Sequence, residues 1–320
     1  MRRLWWIFPD RSSIRQRQRM NELVWDHYQA AADRCGIDFA RHDAGSVVVD
    51  GIGGPRPEVF VDGVPVTPAD TVFVTSLWTF PHQVGDTFKQ VTVFTVLDQL
   101  RFYLPVPPRL TLIGTDKMAT ALYLADCPIP PIPTFRFGTG RDDPVTGAAS
   151  LAALPYPVVV KPTGWGGGLG VLLAEDERHL RTIASLAAGS DCPLVCQRYL
   201  GDGTTDYRLY IVDGRAHSVL HRVPRPGEVA SNASRGGSTE LVDVPARLLD
   251  AVGYLAEKFP VPYFCADFLF DGRDFHLSEI ELDGVYTPDQ KGRDTGVLEA
   301  RFAAYERHHR QFLEQSAQFA

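Results

Sequence analysis

Asp267, Glu279 and Glu281 are the residues whose types and spacing carry the clearest chemistry. Tyr263-Phe-Cys-Ala-Asp-Phe-Leu-Phe270 is an apolar run with one acid, Asp267, and Phe275-His-Leu-Ser-Glu-Ile-Glu281 carries Glu279 and Glu281 two residues apart. Side chains two apart in a strand share a face. Asp271-Gly272 between the runs is a hairpin signal that brings Asp267 alongside. Three acids on one sheet face repel one another unless cations lie among them. Magnesium, which takes oxygen ligands and bridges phosphates, suits such a set. A solvated polar face is the plainer alternative, but the flanks are strongly apolar, and unpaired acids are costly to bury.

A second cluster is Val158-Val-Val-Lys-Pro-Thr-Gly-Trp-Gly-Gly-Gly-Leu-Gly170, with five glycines within seven residues. Glycines such as Gly166, Gly167 and Gly168 let the backbone bend closely over a ligand and aim its amides at phosphate oxygens. Lys161 ends the strand just before the loop, where a fixed positive charge can hold a phosphate. No Gly-Lys-Ser/Thr follows the glycines, so this is not a P-loop, and it does not fit G-x-G-x-x-G either. A purely structural hairpin connection is the alternative. Between the two clusters, Asp206-Tyr-Arg-Leu-Tyr-Ile-Val-Asp-Gly-Arg215 reads as a strand ending in a turn, followed by Arg222 and then Ser231-Asn-Ala-Ser-Arg-Gly-Gly237. Arg235, beside Gly-Gly, can reach a transferring phosphoryl group and neutralise charge as it develops. Taken singly, arginines such as Arg222 and Arg235 are more often surface residues.

The elements that must position these groups follow from the pattern. Leu4 to Phe8 is a compact apolar run ended by Pro9 and reads as a buried strand. Asn21 to Cys35 has apolar residues at helical spacing and stops at Gly36; Ile37-Asp-Phe-Ala40 reads as a second strand. Val59-Phe-Val61 and Val64-Pro-Val66 flank Asp62-Gly63, a hairpin, and Thr71-Val-Phe-Val74 is another buried strand. A small α/β domain over residues 1–108 is expected, closed by the prolines of Pro105-Val-Pro-Pro108. A second unit begins near Leu110, with Thr115 as N-cap of a helix at Thr115-Asp-Lys117. Cys127-Pro-Ile-Pro-Pro-Ile-Pro133 must be extended, and Gly138 to Ser150 reads as a loop.

The chain as a whole is ordinary for a soluble globular protein. Its 320 residues suit two or three packed sub-domains, with 44% apolar and 22% charged residues. A formal charge of −7 argues against a general nucleic-acid binder. The one basic run, Arg11 to Arg19 with four arginines, reads as a solvated loop and helix start. Five scattered cysteines, Cys35, Cys127, Cys192, Cys196 and Cys265, suggest reduced thiols and no zinc pattern. The apolar run at the start is too short for a signal peptide, and no stretch reaches the roughly 20 apolar residues of a membrane span. A cytoplasmic protein without membrane or nucleic-acid partner is expected, and a homodimer is an open option.

Order and spacing then carry a resemblance. Lys117, Lys161 with its glycine loop, Gln197-Arg-Tyr-Leu200, Asp206-x-Arg208, Asn232-x-x-Arg235-Gly-Gly, Asp267, Glu279 and Glu281 together resemble the ATP-grasp superfamily, in its RimK-like and glutathione-synthetase-like branch. The resemblance is collinear over about residues 110 to 290. It implies an α/β ATP-grasp fold of three α/β sub-domains, at 1–108, 109–200 and 201–320, with ATP held between the central and C-terminal ones. Lys117 and Lys161 would contact phosphates or adenine, and the loop from Gly164 to Gly170 would close over the triphosphate. The backbone of Arg198, Tyr199 and Leu200 would form the adenine hinge, and Gln197 and Arg208 would complete the nucleotide site. Asp267, Glu279 and Glu281 would hold one or two magnesium ions, with manganese able to substitute. Arg235, with Arg222 and Asn232, would stabilise an acyl phosphate and the tetrahedral species that follows it.

Two departures stand out. The last metal ligand of that branch is usually an Asn, in Glu-x-Asn followed by Ser-Pro-Gly, whereas this chain reads Glu279-Ile-Glu-Leu-Asp-Gly284. Glu281 still offers oxygen but adds a negative charge, and the stretch that often binds the acceptor is missing. Arg198 stands where an acid is common, which leaves that position a backbone role. The expected activity is an ATP-dependent carboxylate–amine ligation through an acyl phosphate, on small substrates such as amino acids or peptides. The rivals are a cyclising ATP-grasp enzyme that closes a ring in one small molecule, a maturase of a ribosomal peptide, and a nucleotide-binding module without turnover. The aromatic segment Ser76-Leu-Trp-Thr-Phe-Pro-His82 is expected to line the substrate pocket or to pack between domains.

Overall fold

The apolar run at the start becomes β1 (Arg3–Phe8), whose residues from Leu4 onward are all buried. The computed structural model describes residues 1–8, 22–54, 57–75, 77, 84–137, 154–190, 192–225 and 237–318. Strand β1 lies between β2 (Asp38–Asp43) and β6 (Thr71–Val74) in a parallel sheet, with α1 (Glu22–Arg34) between β1 and β2 in the chain. Gly36 takes φ +67°, the left-handed turn that ends α1. A meander of β3 (Val47–Asp50), β4 (Glu58–Val61) and β5 (Val64–Val66) follows. Its Asp62 and Gly63 both take positive φ, 47° and 76°, as a two-residue hairpin turn requires. Helix α2 (Val84–Gln99), which the sequence reading left unassigned, packs Phe94 and Leu97 against Trp5, Ile7 and Phe73. The aromatic segment at 76–82 and the basic run at 11–19 lie largely or wholly outside the described residues.

Helices α3 (Pro108–Thr115) and α4 (Lys117–Tyr123) come next. The expected cap was Thr115; the structure puts Asp116 there. Its carboxylate accepts from the amides of Met118 at 3.0 Å and Ala119 at 2.9 Å. A carboxylate is the stronger acceptor at the positive end of a helix, and Thr115 closes α3, donating its hydroxyl to the Thr111 carbonyl at 2.8 Å. The proline-rich connection is extended as expected and leads to an antiparallel sheet of β7 (Thr134–Phe137), β8 (Val158–Pro162), β9 (Leu172–Ala174) and β10 (Leu194–Arg198), in the order β7-β10-β8-β9. Helix α5 (Glu177–Ala188) covers it through Leu180 and Ala184.

The largest sheet is antiparallel and five-stranded. It holds β11 (Thr205–Val212), β12 (Arg215–Val223), β13 (Ser238–Val242), β14 (Tyr263–Phe270) and β15 (Phe275–Glu281), in the order β13-β12-β11-β14-β15. Helix α6 (Ala246–Lys258) buries Leu248, Ala251, Val252 and Leu255 on one face of it, an i, i+3, i+4, i+7 stripe. Leu110, Leu124 and Ile129 join that same core. Tyr210, Leu220, Tyr263 and Cys265 on the opposite side share a core with α1, β1 and α7 (Val297–Gln318). The N-terminal sheet is thus packed directly against the sheet that carries the acids. No described helix is long and apolar enough to cross a membrane.

That junction is held by one buried ion pair. Arg301 of α7 is 0% exposed and its guanidinium pairs with Asp283, two residues beyond the end of β15. Arg301 also donates to the hydroxyls of Tyr28 (3.0 Å) and Tyr305 (2.8 Å), and lies 4.0 Å from the Tyr263 ring centroid. Trp6 of β1 donates its indole N–H to the other Asp283 oxygen at 2.8 Å. Removing one partner of such a pair leaves a buried charge without compensation, at about 3–5 kcal/mol. Arg301→Met should therefore lower unfolding stability by that amount in denaturant titration. Arg301→Met combined with Asp283→Leu should recover part of the loss, whereas two independent losses would add.

Candidate functional site

The acids assemble as the hairpin predicts. Strands β14 and β15 pair with Asp267 opposite Glu279, and oxygens of Asp267, Glu279 and Glu281 lie within 4.8 Å of one another. What the sequence reading missed is that this cluster is already balanced by side chains. Arg208 of β11 holds Asp267 with two parallel bonds, Nε to Oδ1 at 2.9 Å and Nη2 to Oδ2 at 2.7 Å. The same Nη2 donates to Glu281 at 2.6 Å, and Nη1 to the Val285 carbonyl at 3.3 Å. Arg222 of β12 donates to Asp206 at 2.6 and 3.0 Å and to Asp267 at 2.7 Å. Asp206 and Arg222 are register partners across the β11–β12 hairpin. The turn at Asp213-Gly214 signals the hairpin, but counting outward from it would set Asp206 opposite His221; an irregularity between Tyr210 and Ile211 shifts the register by one and brings Arg222 there instead.

On the other side of the acids stand two lysines. Glu279 lies 3.0 Å from Lys117 Nζ and 3.9 Å from Lys161 Nζ. Lys117 also donates to the carbonyl of Trp165, inside the glycine loop, at 2.6 Å. The loop turns back tightly: Gly167, Gly168 and Gly170 take φ of +68°, +70° and +69°, and a Cβ on Gly170 would press within 2.9 Å of Pro162 and 3.1 Å of Trp165. Four acids (Asp206, Asp267, Glu279, Glu281) therefore meet four cations (Lys117, Lys161, Arg208, Arg222), with a formal sum of zero.

Burial and pairing divide the proton affinities. Burial lowers the Lys161 ammonium to about 8, against the opposing pull of Glu279. Burial works to raise Glu279, but Lys117 and Lys161 hold it below the usual carboxylate range. For Asp267, burial is likewise outweighed by Arg208 and Arg222, which keep it ionised. Asp206 is different, since burial lifts it to about 6 in spite of Arg222. Burial also raises Glu281 above its ordinary value, Arg208 notwithstanding.

A cleft of about 950 Å³, open mouth included, runs along these groups. Lys117, Lys161, Gly166, Gly168, Gln197, Arg198, Tyr199, Leu200, Arg222, Asp267 and Glu279 line it, with Ile132, Val159 and Leu269 as apolar wall. Gly167, Arg208 and Glu281 are not among the lining residues. The Arg208 guanidinium, expected on the nucleotide, is engaged with Asp267, Glu281 and Val285 instead, and the Gln197 amide donates to Thr134 at 2.8 Å. Arg222 both lines the cleft and keeps Nη1 out of its bonds to Asp206 and Asp267. Arg235 and Asn232 lie outside the described residues.

Residues 149–259 match the family model of the ATP-grasp domain of prokaryotic glutathione synthetase. The chain has the ATP-grasp fold. N-acetylaspartylglutamate synthase A of Homo sapiens is 33% identical over 148 residues, 46% of this chain and 37% of that protein. The match thus spans well under half of that curated relative. Over nearly the whole chain the fold is similar to that of the D-cycloserine synthetase DcsG, with TM-score 0.65 and 19% identity over 95% of this chain and 99% of the other. The ATP-grasp ligase PsnB, solved with a phosphomimetic variant of a minimal precursor, Mg and ADP, has TM-score 0.60 and 14% identity over 94% and 98%. The ATP-grasp cleft thus lies between the β7–β10 sheet and the five-stranded sheet.

Lys161 should hold phosphate by one charge-assisted bond, a contribution of about 1.5–3 kcal/mol. Lys161→Ala should weaken ATP affinity by that amount in calorimetry while the circular dichroism of the fold is kept. Unchanged affinity in the folded variant would remove this lysine from the site.

Proposed function

We propose that the chain is an ATP-dependent carboxylate–amine ligase acting through an acyl phosphate. One observation carries the reading: two lysines and three acids converge on one cleft edge, with Glu279 between Lys117 and Lys161. The names of the matched proteins, a synthase, a synthetase and a ligase, point the same way.

The donor set fits magnesium, because three carboxylates offer hard oxygens within 4.8 Å of one another. Bound there, the ion would neutralise phosphate charge. Asp267, Glu279 and Glu281 would hold it, and Arg208 would orient Asp267 and Glu281 from behind. Lys117 and Lys161 would take phosphate oxygens of ATP, and the glycine-loop amides would cover them. A substrate carboxylate oxygen attacks the γ-phosphorus, and the bond to the bridging oxygen breaks with its electron pair left on ADP. The amine nitrogen of the second substrate then attacks the acyl carbon. The acyl–oxygen bond breaks, phosphate departs with that pair, and the amine proton passes to phosphate or water. Arg222, and Arg235 from its Gly-Gly segment, would stabilise the phosphoryl group. Positioning and charge neutralisation supply the rate, without a protein nucleophile.

A phosphate-release screen over amino acids and small peptides, with mass detection, tests the reading. The mass of the product separates ligation, the sum of two substrates less water, from ring closure, one substrate less water. ATP binding without phosphate release under any condition would leave only a nucleotide-binding module.

Glu279→Ala removes the acid that faces both lysines and should be nearly inactive at any magnesium concentration. Glu281→Asn keeps one oxygen and removes one charge, so it should stay active with the magnesium optimum moved higher. Activity against magnesium for the wild type and both variants checks this. Wild-type behaviour of Glu279→Ala, or ATP binding undiminished in excess chelator, would show that the acids serve only their arginines and lysines.

A further inference from the structure

Arg41 is half-buried, and no hydrogen bond or ion pair joins its guanidinium to another described residue. It sits in β2 on the face that carries Phe39, opposite Trp6 in the β1–β2 register. Its guanidinium carbon lies 5.1 Å from the centroid of the Trp25 ring, and its Nη1 is buried without a hydrogen-bond partner among the described residues. The indole Nε1 of Trp25 is likewise buried and unpartnered, on a side chain only 4% exposed. Two orphaned donors thus share one ring. Buried donors are rarely left unmade, because each forfeits its hydration for nothing. A guanidinium partly withdrawn from water without an anion is the more expensive of the two. Burial lowers its proton affinity, and only Asp26, at a distance, works the other way.

Position gives the orphaned pair a purpose. Arg41 stands in the carboxyl half of a parallel strand, and Trp25 in the first turns of the helix that follows β1. Open parallel sheets bind ligands at that end, where helix dipoles favour anions. Helix α1 also faces the loop that follows the acids. The ring of His27 meets that of Tyr286 at 5.6 Å, and Tyr28 accepts from the Tyr286 amide at 3.1 Å. Val285, one residue earlier, gives its carbonyl to Arg208. Helix α1, which carries Trp25, therefore packs beside the loop that follows the acids.

We propose that Arg41 and the indole N–H of Trp25 form a carboxylate-binding site in the N-terminal domain. The site recognises a small substrate by a carboxylate other than the one phosphorylated. It replaces the acceptor-binding Ser-Pro-Gly stretch that this chain lacks after Glu281. A guanidinium and an indole N–H beside one ring suit a planar two-oxygen acceptor better than a single hydroxyl or a phosphate monoester. The substrate class is a dicarboxylate or an amino acid; that part rests on the ligase reading, while anion binding at Arg41 does not.

The test uses the full chain without nucleotide. Succinate and L-glutamate, with succinamide as the uncharged control, are titrated while thermal unfolding is followed. The two acids should raise the wild-type melting temperature saturably and succinamide should not. Arg41→Gln should lose at least tenfold in apparent affinity, Trp25→Phe less, and Lys161→Ala nothing. In ligand-free protein Arg41→Gln should be at least as stable as the wild type, because the charge removed has no partner. An equal response in Arg41→Gln, no response in the wild type, or marked destabilisation of ligand-free Arg41→Gln overturns the site. Phosphate release separates the two readings. An Arg41→Gln enzyme that turns over with an unchanged KM for its carboxylate substrate refutes the site alone. Carboxylate binding lost in Arg41→Gln, in a protein that never hydrolyses or transfers phosphate, refutes the ligase alone.

Discussion

Asp206, Asp267, Glu279 and Glu281 meet Lys117, Lys161, Arg208 and Arg222 in one cluster at the cleft, and neither set is tolerable there without the other. Each ion has lost most of its water, so its stability depends on the geometry of its partners. Antiparallel register supplies that geometry: Asp206 opposite Arg222, Arg208 opposite Asp267, Asp267 opposite Glu279. The central strands are packed on both faces, which keeps the side chains from relaxing into solvent. The same neutrality fixes how the cleft meets a triphosphate. On the proposed reading the polyanion would upset a balanced set, and divalent cations sharing the carboxylates with the arginines would restore the balance.

Lys117 links three parts of that cleft. It opens a helix capped by Asp116, its amide donates to the Thr163 carbonyl at 2.9 Å, and its ammonium spans Trp165 and Glu279. The glycine loop is thereby tied at both its entry and its interior to the helix that packs beside β15. With two contacts made, the Lys117 ammonium still has a third N–H to offer a ligand beside the loop.

Much of this was legible in the chain. The hairpin of Asp267, Glu279 and Glu281, the strand and loop at Lys161, and the first buried strand all follow from periodicity and turn residues, which act locally. What stayed hidden depends on partners far apart in sequence. The lysine contacts of Glu279 need α4 beside β15, and the arginines on Asp267 need three strands in register. Periodicity reports which face a residue occupies, not what another strand places against it. Thr115 misled as a cap because two helices abut there, and an adjoining Asp with a free carboxylate took the role. Helix α2 went unread because it lacks a strong apolar stripe, although Phe94 and Leu97 suffice to seat it.

The contact of Trp6 with Asp283 joins residues 277 apart in sequence. Its consequence is for modularity. Fold descriptions invite the view that an ATP-grasp unit is a cassette to which an N-terminal domain has been attached. In this chain the cassette cannot be lifted out. Cutting away the first strand and helix would uncover Tyr210, Tyr263 and Phe302 and leave Asp283 and Arg301 at a water-filled face, immediately downstream of Glu281. The two parts have to change together, so a graft of a foreign N-terminal domain must bring its own counterparts of Trp6 and Tyr28.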